Sequence, residues 1–269
     1  MRIDRALAGQ AAVVTGGGKG IGKAIALQLA ARGVCVLVTG RDENALGETV
    51  GEIAHGGGQA RHLAGDVRDH SHVRRAVDRA VHLWRRLDVV VANAATTGTV
   101  RIGEGVDRGE PTGFARIREI FDTNLMGTVH LFDAAAAVMD GPGRLIAVSS
   151  VLGKLGVPGQ AAYCASKAGV HGLVRAVAVE LAMRGITCNA VCPGWVDTGM
   201  ARQRIGELAV EEGKTYEDMA ASARRAVPIG RFVDVQEVAE LVAFLCSPAA
   251  ASITGQAISI CGGATAFGA

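Results

Sequence analysis

Short apolar runs alternate with helix-like patterns from one end of this 269-residue chain to the other, and no other feature restricts the fold as strongly. The runs are continuous in Val, Ile, Leu and Ala, as expected for parallel strands buried on both faces. They lie at 11–15, 34–39, 60–64, 88–92, 144–149, 186–191 and 256–260. Helices are predicted near 20–32, 42–55, 70–86, 116–140, 161–184 and 234–246. The alternation predicts one α/β domain over residues 1–269, with a doubly wound, seven-stranded parallel sheet and helices on both faces.

Two segments interrupt this alternation. Residues 96–113 are polar and glycine-rich and follow the fourth predicted strand, and residues 198–226 are highly charged and follow the sixth. Both come after the carboxyl end of a strand, which is where open α/β sheets bind their ligands. Loops of this length in a compact domain usually serve a function. We therefore expect both segments to be substrate loops.

A glycine-rich loop follows the first predicted strand and opens the first predicted helix. From Thr15 to Gly22 it reads Thr-Gly-Gly-Gly-Lys-Gly-Ile-Gly. Glycines at such a place permit a tight turn and let the backbone approach phosphate groups at a helix N-terminus. The loop predicts a dinucleotide-binding site. Its predicted contact residues are Gly16, Gly18, Lys19, Gly20, Ile21 and Gly22.

Tyr163 and Lys167 lie four residues apart in a predicted helix. Positions i and i+4 share one helix face, so the phenol and the ammonium occupy one small volume. A nearby ammonium favours the phenolate and lowers the pKa of the phenol. The spacing therefore predicts a tyrosine that donates and accepts protons near neutral pH.

Five further motifs appear in order along the chain. They are Asp66-Val67, Asn93-Ala94-Ala95, Asn124 in a predicted helix, Ser149-Ser150 and Pro193-Gly194-Trp195-Val196-Asp197-Thr198. Together with the glycine loop and the Tyr–Lys pair, this order resembles the short-chain dehydrogenase/reductase family over essentially the whole chain. The resemblance implies a Rossmann-type fold and an enzyme that transfers hydride between a nicotinamide cofactor and a substrate.

The resemblance also implies roles for four catalytic residues, which are Asn124, Ser150, Tyr163 and Lys167. Ser150 lies 13 residues before Tyr163, the interval usual in the family, and is therefore favoured over Ser149. Its hydroxyl would bind the substrate oxygen, and Tyr163 would exchange the proton. Lys167 would lower the pKa of the tyrosine and bind the nicotinamide ribose, and Asn124 would hold a water of a proton relay.

Further cofactor contacts follow from the same resemblance. The residues that match the family's cofactor-binding positions are Asp66, Val67, Asn93, Tyr163, Lys167, Pro193, Val196 and Thr198. Asp66 and Val67 match the positions that contact the adenine ring, and Lys167 matches the position that binds the nicotinamide ribose.

The end of the second strand indicates which nicotinamide cofactor is used. A carboxylate there would bind the ribose hydroxyls of NAD(H), but this chain has Gly40 followed by Arg41. Arg41, together with Lys19 of the glycine loop, is suited to the 2′-phosphate of NADP(H). The resemblance associates both basic positions with NADP(H), which we expect over NAD(H). The alternative is that Arg41 is a solvated residue before Asp42, a plausible helix cap.

The last third of the chain carries the only indication of a substrate. Residues 185–194, 227–232 and 254–263 resemble ketoreductases that act on β-keto thioesters and aromatic polyketides. We expect NADPH-dependent reduction of a ketone, free or bound to a carrier. NAD-dependent oxidation of an alcohol and a non-catalytic nucleotide sensor stay open as alternatives. The 198–226 segment, a candidate lid over the site, carries Arg202, Arg204, Arg224 and Arg225. These lid arginines could receive an anionic carrier. The acidic residues interspersed among them also fit an ordinary solvated charged surface.

Two departures from the family pattern concern the turn after the fourth strand. Ala95 replaces the glycine of the family's Asn-Ala-Gly, so this turn must avoid the positive φ that glycine adopts cheaply. Asn93 and Asn124 are 31 residues apart, which is longer than the resemblance implies. The additional length falls in the 96–113 segment beside the expected substrate site.

The net charge and the composition indicate which binding partners and which cellular compartment to expect. The formal net charge is +2, which gives no strong attraction to nucleic acid or to a membrane surface. No apolar run approaches the ~18 residues that a membrane-spanning helix needs. The six cysteines lack metal-ligand spacing and are expected to be reduced thiols of a cytoplasmic protein. The resemblance implies a homotetramer, and we expect no metal.

Overall fold

The computed structural model describes residues 7–103 and 112–266. Its seven strands form one sheet in the order β3-β2-β1-β4-β5-β6-β7, and every pair of neighbours is parallel. The strands are β1 (Ala11–Thr15), β2 (Cys35–Gly40), β3 (Ala60–Ala64), β4 (Val89–Ala92), β5 (Arg144–Val148), β6 (Thr187–Pro193) and β7 (Ala257–Ile260). The predicted doubly wound, seven-stranded parallel sheet is confirmed.

Helices cover both faces of the sheet. They are α1 (Gly20–Ala31), α2 (Glu43–His55), α3 (His70–Trp84), α4 (Thr112–Phe121), α5 (Gly127–Val138), α6 (Ala161–Leu181), α7 (Gly199–Glu212), α8 (Tyr216–Arg225) and α9 (Val235–Cys246). On one face α1 packs against α9, and on the other α3 packs against α5. Both layers bury apolar side chains against the strands between them.

Each central strand supplies both cores, as a strand buried on two faces must. Val14 and Val36 pack in the core beneath α1 and α9, whereas Val13 and Leu37 pack in the core beneath α3 and α5. All four side chains are fully buried. This explains why the strands read as continuous apolar runs.

Two predicted elements differ from the structure. The helix expected near 116–140 is divided by a π-helical turn at Asp122–Met126, which joins α4 to α5. The loop expected over 198–226 forms the helices α7 and α8, whose N-termini are capped by the side chains of Thr198 and Thr215. Charged residues dominate both helices and hide their apolar stripe in the sequence. The small core that they share is formed by Ile205, Ala209, Met219 and Ala220.

None of the helices in the described part of the chain is long and apolar enough to cross a membrane. Within the same residues, no group of three or more His, Cys, Asp or Glu side chains is placed to hold a metal ion.

Candidate active site

The strand order brings the sequence motifs together at one edge of the sheet. The chain turns away from β1 toward β2 in one direction and toward β4 in the other, which opens a crevice at the carboxyl ends of β1 and β4. The glycine loop follows β1, and Asn93 follows β4. Ser150 follows β5, the strand next to β4. Residues far apart in sequence therefore line one cleft.

The glycine loop requires its glycines for steric reasons. Gly16 adopts φ +66°, a conformation that favours glycine. A methyl group on Gly22 would overlap the carbonyl oxygen of Gly16. The Gly16 amide donates to the Thr39 carbonyl at 2.7 Å, which fixes the loop to the end of β2. The result is a narrow backbone turn that leads into the N-terminus of α1, a site suited to a pyrophosphate.

Asn93 fastens this loop from the neighbouring strand. Its amide nitrogen donates to the carbonyl oxygens of Thr15 (3.0 Å) and Gly16 (3.2 Å). In return, the Thr15 hydroxyl accepts hydrogen bonds from the backbone amides of Asn93 and Ala94. The Asn93 side chain is thus engaged by the loop. Thr15 was not singled out from the sequence, although it begins the Thr-Gly motif.

The replacement of glycine by Ala95 is accommodated without backbone strain. Arg85, at a helix C-terminus, is the one non-glycine residue with positive φ in the described segments. The turn at Ala95 therefore avoids the conformation that only glycine adopts cheaply, as we expected.

Asp66 and Val67 lie after β3, at the end of the crevice predicted to hold the adenine. The Asp66 carboxylate accepts hydrogen bonds from the Arg68 guanidinium at 2.6 and 3.0 Å. Bonding to Arg68 holds the pKa of Asp66 below its usual range, with Arg41 adding a smaller effect. Val67 is buried, and its carbonyl oxygen contacts Nδ1 of His130 at 3.0 Å. No motif in the sequence pointed to Arg68 as the partner of Asp66.

The two basic residues predicted to favour NADP(H) have different surroundings. Arg41 is exposed. The preceding Gly40 lies close to the glycine loop, since a Cβ there would be 3.8 Å from the Cα of Gly16. Lys19 is also exposed, but its ammonium pairs with the Asp42 carboxylate at 2.6 Å. The site therefore offers cations at the place where a 2′-phosphate would bind, and one of them already has an acidic partner.

The segment after β6 closes the cofactor side of the crevice. Pro193 ends the strand and Val196 is buried, bridged to Val233. The Thr198 hydroxyl accepts from the Ala201 amide at 3.3 Å and caps α7. The Thr198 methyl lies beside Gly20 of the glycine loop, 3.4 Å from where a Cβ would be. The glycine loop and the base of α7 are therefore in contact.

The residues present thus fit a nicotinamide dinucleotide. The turn around Gly16 and Gly22 leaves no room for side chains, the N-terminus of α1 faces the loop, and Arg41 adds positive charge. Ile21 lies just inside α1 and packs against the core, which anchors the helix end. Gly18 packs against Ala45 of α2, where a Cβ would be crowded at 3.1 Å.

The structure distinguishes the two adjacent serines after β5. Ser149 is buried, and its hydroxyl bonds the Lys167 carbonyl (3.2 Å) and Nε2 of His171 (2.9 Å). Ser150 accepts from the Leu152 amide at 3.1 Å and hydrogen-bonds the phenol of Tyr163. Ser150 is thus the serine beside the phenol, and Ser149 joins β5 to α6. His171 could not be recognised from sequence spacing.

Tyr163 and Lys167 share one face of α6, as predicted. The Lys167 ammonium lies 5.8 Å from the centre of the Tyr163 ring and donates to the Val148 carbonyl at 2.9 Å. Burial lowers the pKa of Lys167 to about 8.

The expected lowering of the Tyr163 pKa by Lys167 is wrong for this structure. Burial raises the pKa of Tyr163 to about 12, and the hydrogen bond with Ser150 opposes this only in part. The ammonium lies below the ring and bonds a backbone carbonyl, so the cost of desolvating a phenolate dominates. Tyr163 is therefore protonated at neutral pH.

Asn124 lies in the π-helical turn that divides the helix expected near 116–140. Its buried amide donates to the Thr96 carbonyl (3.0 Å) and the Ser166 hydroxyl (3.1 Å), and its oxygen accepts from the Thr96 amide (2.8 Å). Both amide hydrogens are used within the protein. A relay water bound to this side chain would therefore have to donate to the amide oxygen.

The rim of the crevice is formed by residues 96–103 and α7. Thr99 accepts from the Arg204 guanidinium at 2.8 Å, and Glu211 accepts from Arg204 (3.1 Å) and Arg101 (3.5 Å). On the inner side, Val100 pairs with Gln160, which precedes the catalytic helix. The segment thus joins α7 to the start of α6.

The lid arginines have partners within the lid region. Arg202 pairs with Asp197 at 2.9 Å, Arg204 pairs with Glu207 and Glu211, and Arg224 lies over the Phe232 ring at 5.8 Å. This arrangement favours a charged surface over a preformed anion site at these three residues.

The sequence of this chain is similar to those of known reductases. A family model described as enoyl-(acyl carrier protein) reductase matches residues 16–265. The chain is 38% identical over 264 residues to a Streptomyces coelicolor protein provisionally named a ketoacyl reductase, covering 94% of this chain and 96% of that one. It is 36% identical to a 3-oxoacyl-[acyl-carrier-protein] reductase of Synechocystis, covering 97% and 99% of the two chains.

A solved structure extends the likeness to three dimensions. A variant of the actinorhodin polyketide ketoreductase with NADPH superimposes with a TM-score of 0.88, at 37% identity, covering 96% of this chain and 98% of that one. The chain belongs to the short-chain dehydrogenase/reductase family. As a member of that family it is an NAD(P)-dependent oxidoreductase, and its Ser150, Tyr163 and Lys167 converge beside the glycine loop.

Proposed function

We propose that the protein reduces the keto group of a β-keto thioester or polyketide intermediate to a secondary alcohol with NADPH. The observation that carries this proposal is the Ser150–Tyr163 hydrogen bond in a crevice whose glycine loop fits a dinucleotide. The keto substrate class is supported by the ketoacyl and polyketide reductases that the chain resembles.

The chain supplies the proton and the binding of the carbonyl oxygen, whereas NADPH, when bound, supplies the hydride. Ser150 and Tyr163 both donate hydrogen bonds to the carbonyl oxygen and polarise it. As the carbonyl carbon accepts hydride, the phenol transfers its proton to that oxygen, which leaves an alcohol. Lys167 stabilises the phenolate that forms. Tyr163 then recovers its proton through Lys167 and the relay water proposed at Asn124.

The raised pKa of Tyr163 favours the direction of reduction. At neutral pH the phenol is protonated, which is the state that donates. Oxidation of an alcohol would instead need the phenolate, a form that burial makes costly in this site. Arg41 and Lys19 favour NADPH, the reduced cofactor that reductive enzymes commonly use.

The carrier is proposed to be recognised elsewhere than at the paired lid arginines. Arg202 and Arg204 are engaged with acidic residues of the lid region. We therefore expect a short thioester without a carrier protein to be reduced as well. Comparing kcat/KM for a small thioester and for the same acyl group on an acyl carrier protein would measure what the carrier contributes.

A homotetramer in the cytoplasm is the proposed assembly and location. Exposed apolar residues are suited to cover neighbouring subunits; they include Val179 on α6, Met183 in the turn that follows α6, and Phe244 on α9. All six cysteines are free thiols, which suits a reducing compartment. Light scattering after gel filtration measures the oligomeric state directly.

A substrate panel tests the proposed function. Consumption of NADPH is followed with a β-keto thioester, a cyclic ketone, a quinone and an enoyl thioester. We expect turnover of the β-keto thioester and none of the enoyl thioester. Preferential use of the enoyl thioester, or oxidation of the matching alcohol with NAD as the only activity, would replace the proposal. Tyr163→Phe with unchanged NADPH binding but full activity would remove the catalytic assignment.

A further inference from the structure

Asp42 occupies an unusual place at the start of α2. One carboxylate oxygen accepts from the Ala45 amide at 3.1 Å and caps the helix. The other pairs with the Lys19 ammonium at 2.6 Å. Both side chains are more than half exposed, so the pair is accessible to a solute. The capping role was expected from the sequence, whereas the pairing with Lys19 was not.

The pair lies where the distinctive group of NADPH is expected. Lys19 is in the glycine loop, and Asp42 follows Arg41 directly in the chain. Lys19 and Arg41 are the two cations assigned to the 2′-phosphate. A phosphate that contacts Lys19 must therefore approach the Asp42 carboxylate, and the two anions repel each other. NADH has a hydroxyl at that position and brings no such charge.

We propose that Asp42 is a cofactor-specificity residue, because its carboxylate competes with the 2′-phosphate of NADPH for Lys19 and so moderates the preference for NADPH over NADH. This inference rests on the proposed use of NADPH. It means that the protein binds NADPH less tightly than its two cations alone would allow, while NADH binding leaves the Lys19–Asp42 pair intact.

The test separates the charge of Asp42 from its capping role. Asp42→Asn keeps an oxygen that caps α2 but removes the negative charge, since Asn is as good a cap as Asp. We expect the Kd for NADPH to fall on the order of five-fold, with the Kd for NADH within about two-fold of wild type. The gain should shrink at high salt, because exposed charges are screened. Calorimetric titration of both cofactors with the intact protein gives these values without any substrate.

A matched control lies on the same two helices. Lys23 of α1 and Glu52 of α2 form another ion pair at 2.7 Å, one to three helical turns further along, in which the carboxylate is as exposed as that of Asp42. Glu52→Gln removes the same charge and should leave both Kd values unchanged. Asp42→Ala removes charge and cap together, so it should lower the Tm while tightening NADPH binding like Asp42→Asn.

The outcomes separate this inference from the function on which it rests. If wild type prefers NADPH and Asp42→Asn does not change the ratio of the two Kd values, the role of Asp42 is refuted and the proposed function stands. The same holds if Glu52→Gln tightens NADPH binding equally, because a general charge effect then explains the gain. If wild type binds NADH more tightly than NADPH, the proposed cofactor fails, and this inference fails with it.

Discussion

The floor and the rim of the crevice are built in different ways. The floor comprises the glycine loop, Asn93 and the Ser150–Tyr163–Lys167 group, held by buried side chains and short backbone hydrogen bonds. The rim comprises residues 96–103 and α7, joined through Arg204, which is largely buried, and the exposed Thr99 and Glu211. The floor defines a reaction, and the rim defines what reaches it.

The physical difference is one of tolerance. In the floor, a single added methyl group meets backbone atoms that cannot move away. In the rim, long charged side chains can find new partners, and exposed ion pairs contribute little to stability. Substitutions should therefore have large, specific effects in the floor and small, graded effects in the rim. The chain offers matched residues in both regions to test this.

The largest effect is expected from the tyrosines, of which the chain has two. Tyr163→Phe removes the proton donor and should lower kcat on the order of a thousand-fold, with NADPH binding retained. Tyr216→Phe, at the start of α8, which packs against the rim helix α7, should leave kcat within about two-fold. Steady-state kinetics with a β-keto thioester measures both. Equal losses of kcat in the two variants would contradict the expectation that only substitutions in the floor have large effects.

The next largest effect is expected from glycines. Gly22→Ala places a methyl group on the Gly16 carbonyl oxygen and should weaken NADPH binding at least a hundred-fold or prevent folding. Gly206→Ala lies in α7, where no described atom is within 4 Å of the new methyl. It should raise stability by ~0.5–1 kcal/mol, the helix preference of Ala over Gly. Thermal unfolding and NADPH titration distinguish these results.

The pH dependence tests the electrostatics of the floor. Burial lowers the pKa of Lys167 to about 8 and raises that of Tyr163 to about 12. As pH rises, the lysine therefore loses its charge first, while the phenol still carries its proton. We expect kcat/KM for ketone reduction to be level below pH 8 and to fall above it. A profile that stays level up to 10.5, the ordinary lysine value, would refute the role of the ammonium.

His171 provides a smaller test, one layer beneath the catalytic residues. It is buried and contacts the Ser149 hydroxyl, which reaches the Lys167 carbonyl. His171→Leu leaves that hydroxyl without one partner and should cost ~1–3 kcal/mol in unfolding free energy. His171→Asn should recover part of the loss. If His171→Leu is as stable as wild type, this contact does not support the floor.

The smallest effect is expected in the rim. Glu211→Gln weakens the contacts of Arg204 and Arg101 and should change the unfolding free energy by at most ~1 kcal/mol. Its KM for the keto substrate should change more than its kcat, because the rim affects entry and not proton transfer. A fall in kcat as large as that of Tyr163→Phe would show that the rim takes part in the chemistry.

The same contrast explains how much could be predicted from the sequence. The strands and the glycine loop depend on local pattern, and the structure places them as expected. The choice of Ser150 over Ser149 came from the interval usual in the family that the chain resembles. The helices α7 and α8 were missed because their charged residues hide the apolar period. The contacts of Thr15 and His171, and the pairing of Asp42 with Lys19, were missed because they join distant segments. The expected capping role of Asp42 is confirmed.

The Tyr163 pKa was predicted in the wrong direction for a further reason. Sequence spacing shows that an ammonium is near the phenol but not how deeply both groups are buried. In the structure, desolvation exceeds the effect of the charge. Tyr163 is therefore a phenol that keeps its proton at neutral pH and is placed to donate it.

Deuterium transfer tests the central claim most directly. The protein is given a β-keto thioester and NADPH that carries deuterium at the nicotinamide C4 position, in separate samples for its two faces, and the product is analysed by mass spectrometry and NMR. The account predicts one deuterium on the new alcohol carbon from one face only, with the rate reduced on the order of a thousand-fold in Tyr163→Phe. A product without deuterium at that carbon, or deuterium transfer to the β-carbon of an enoyl thioester in place of the keto substrate, would contradict it.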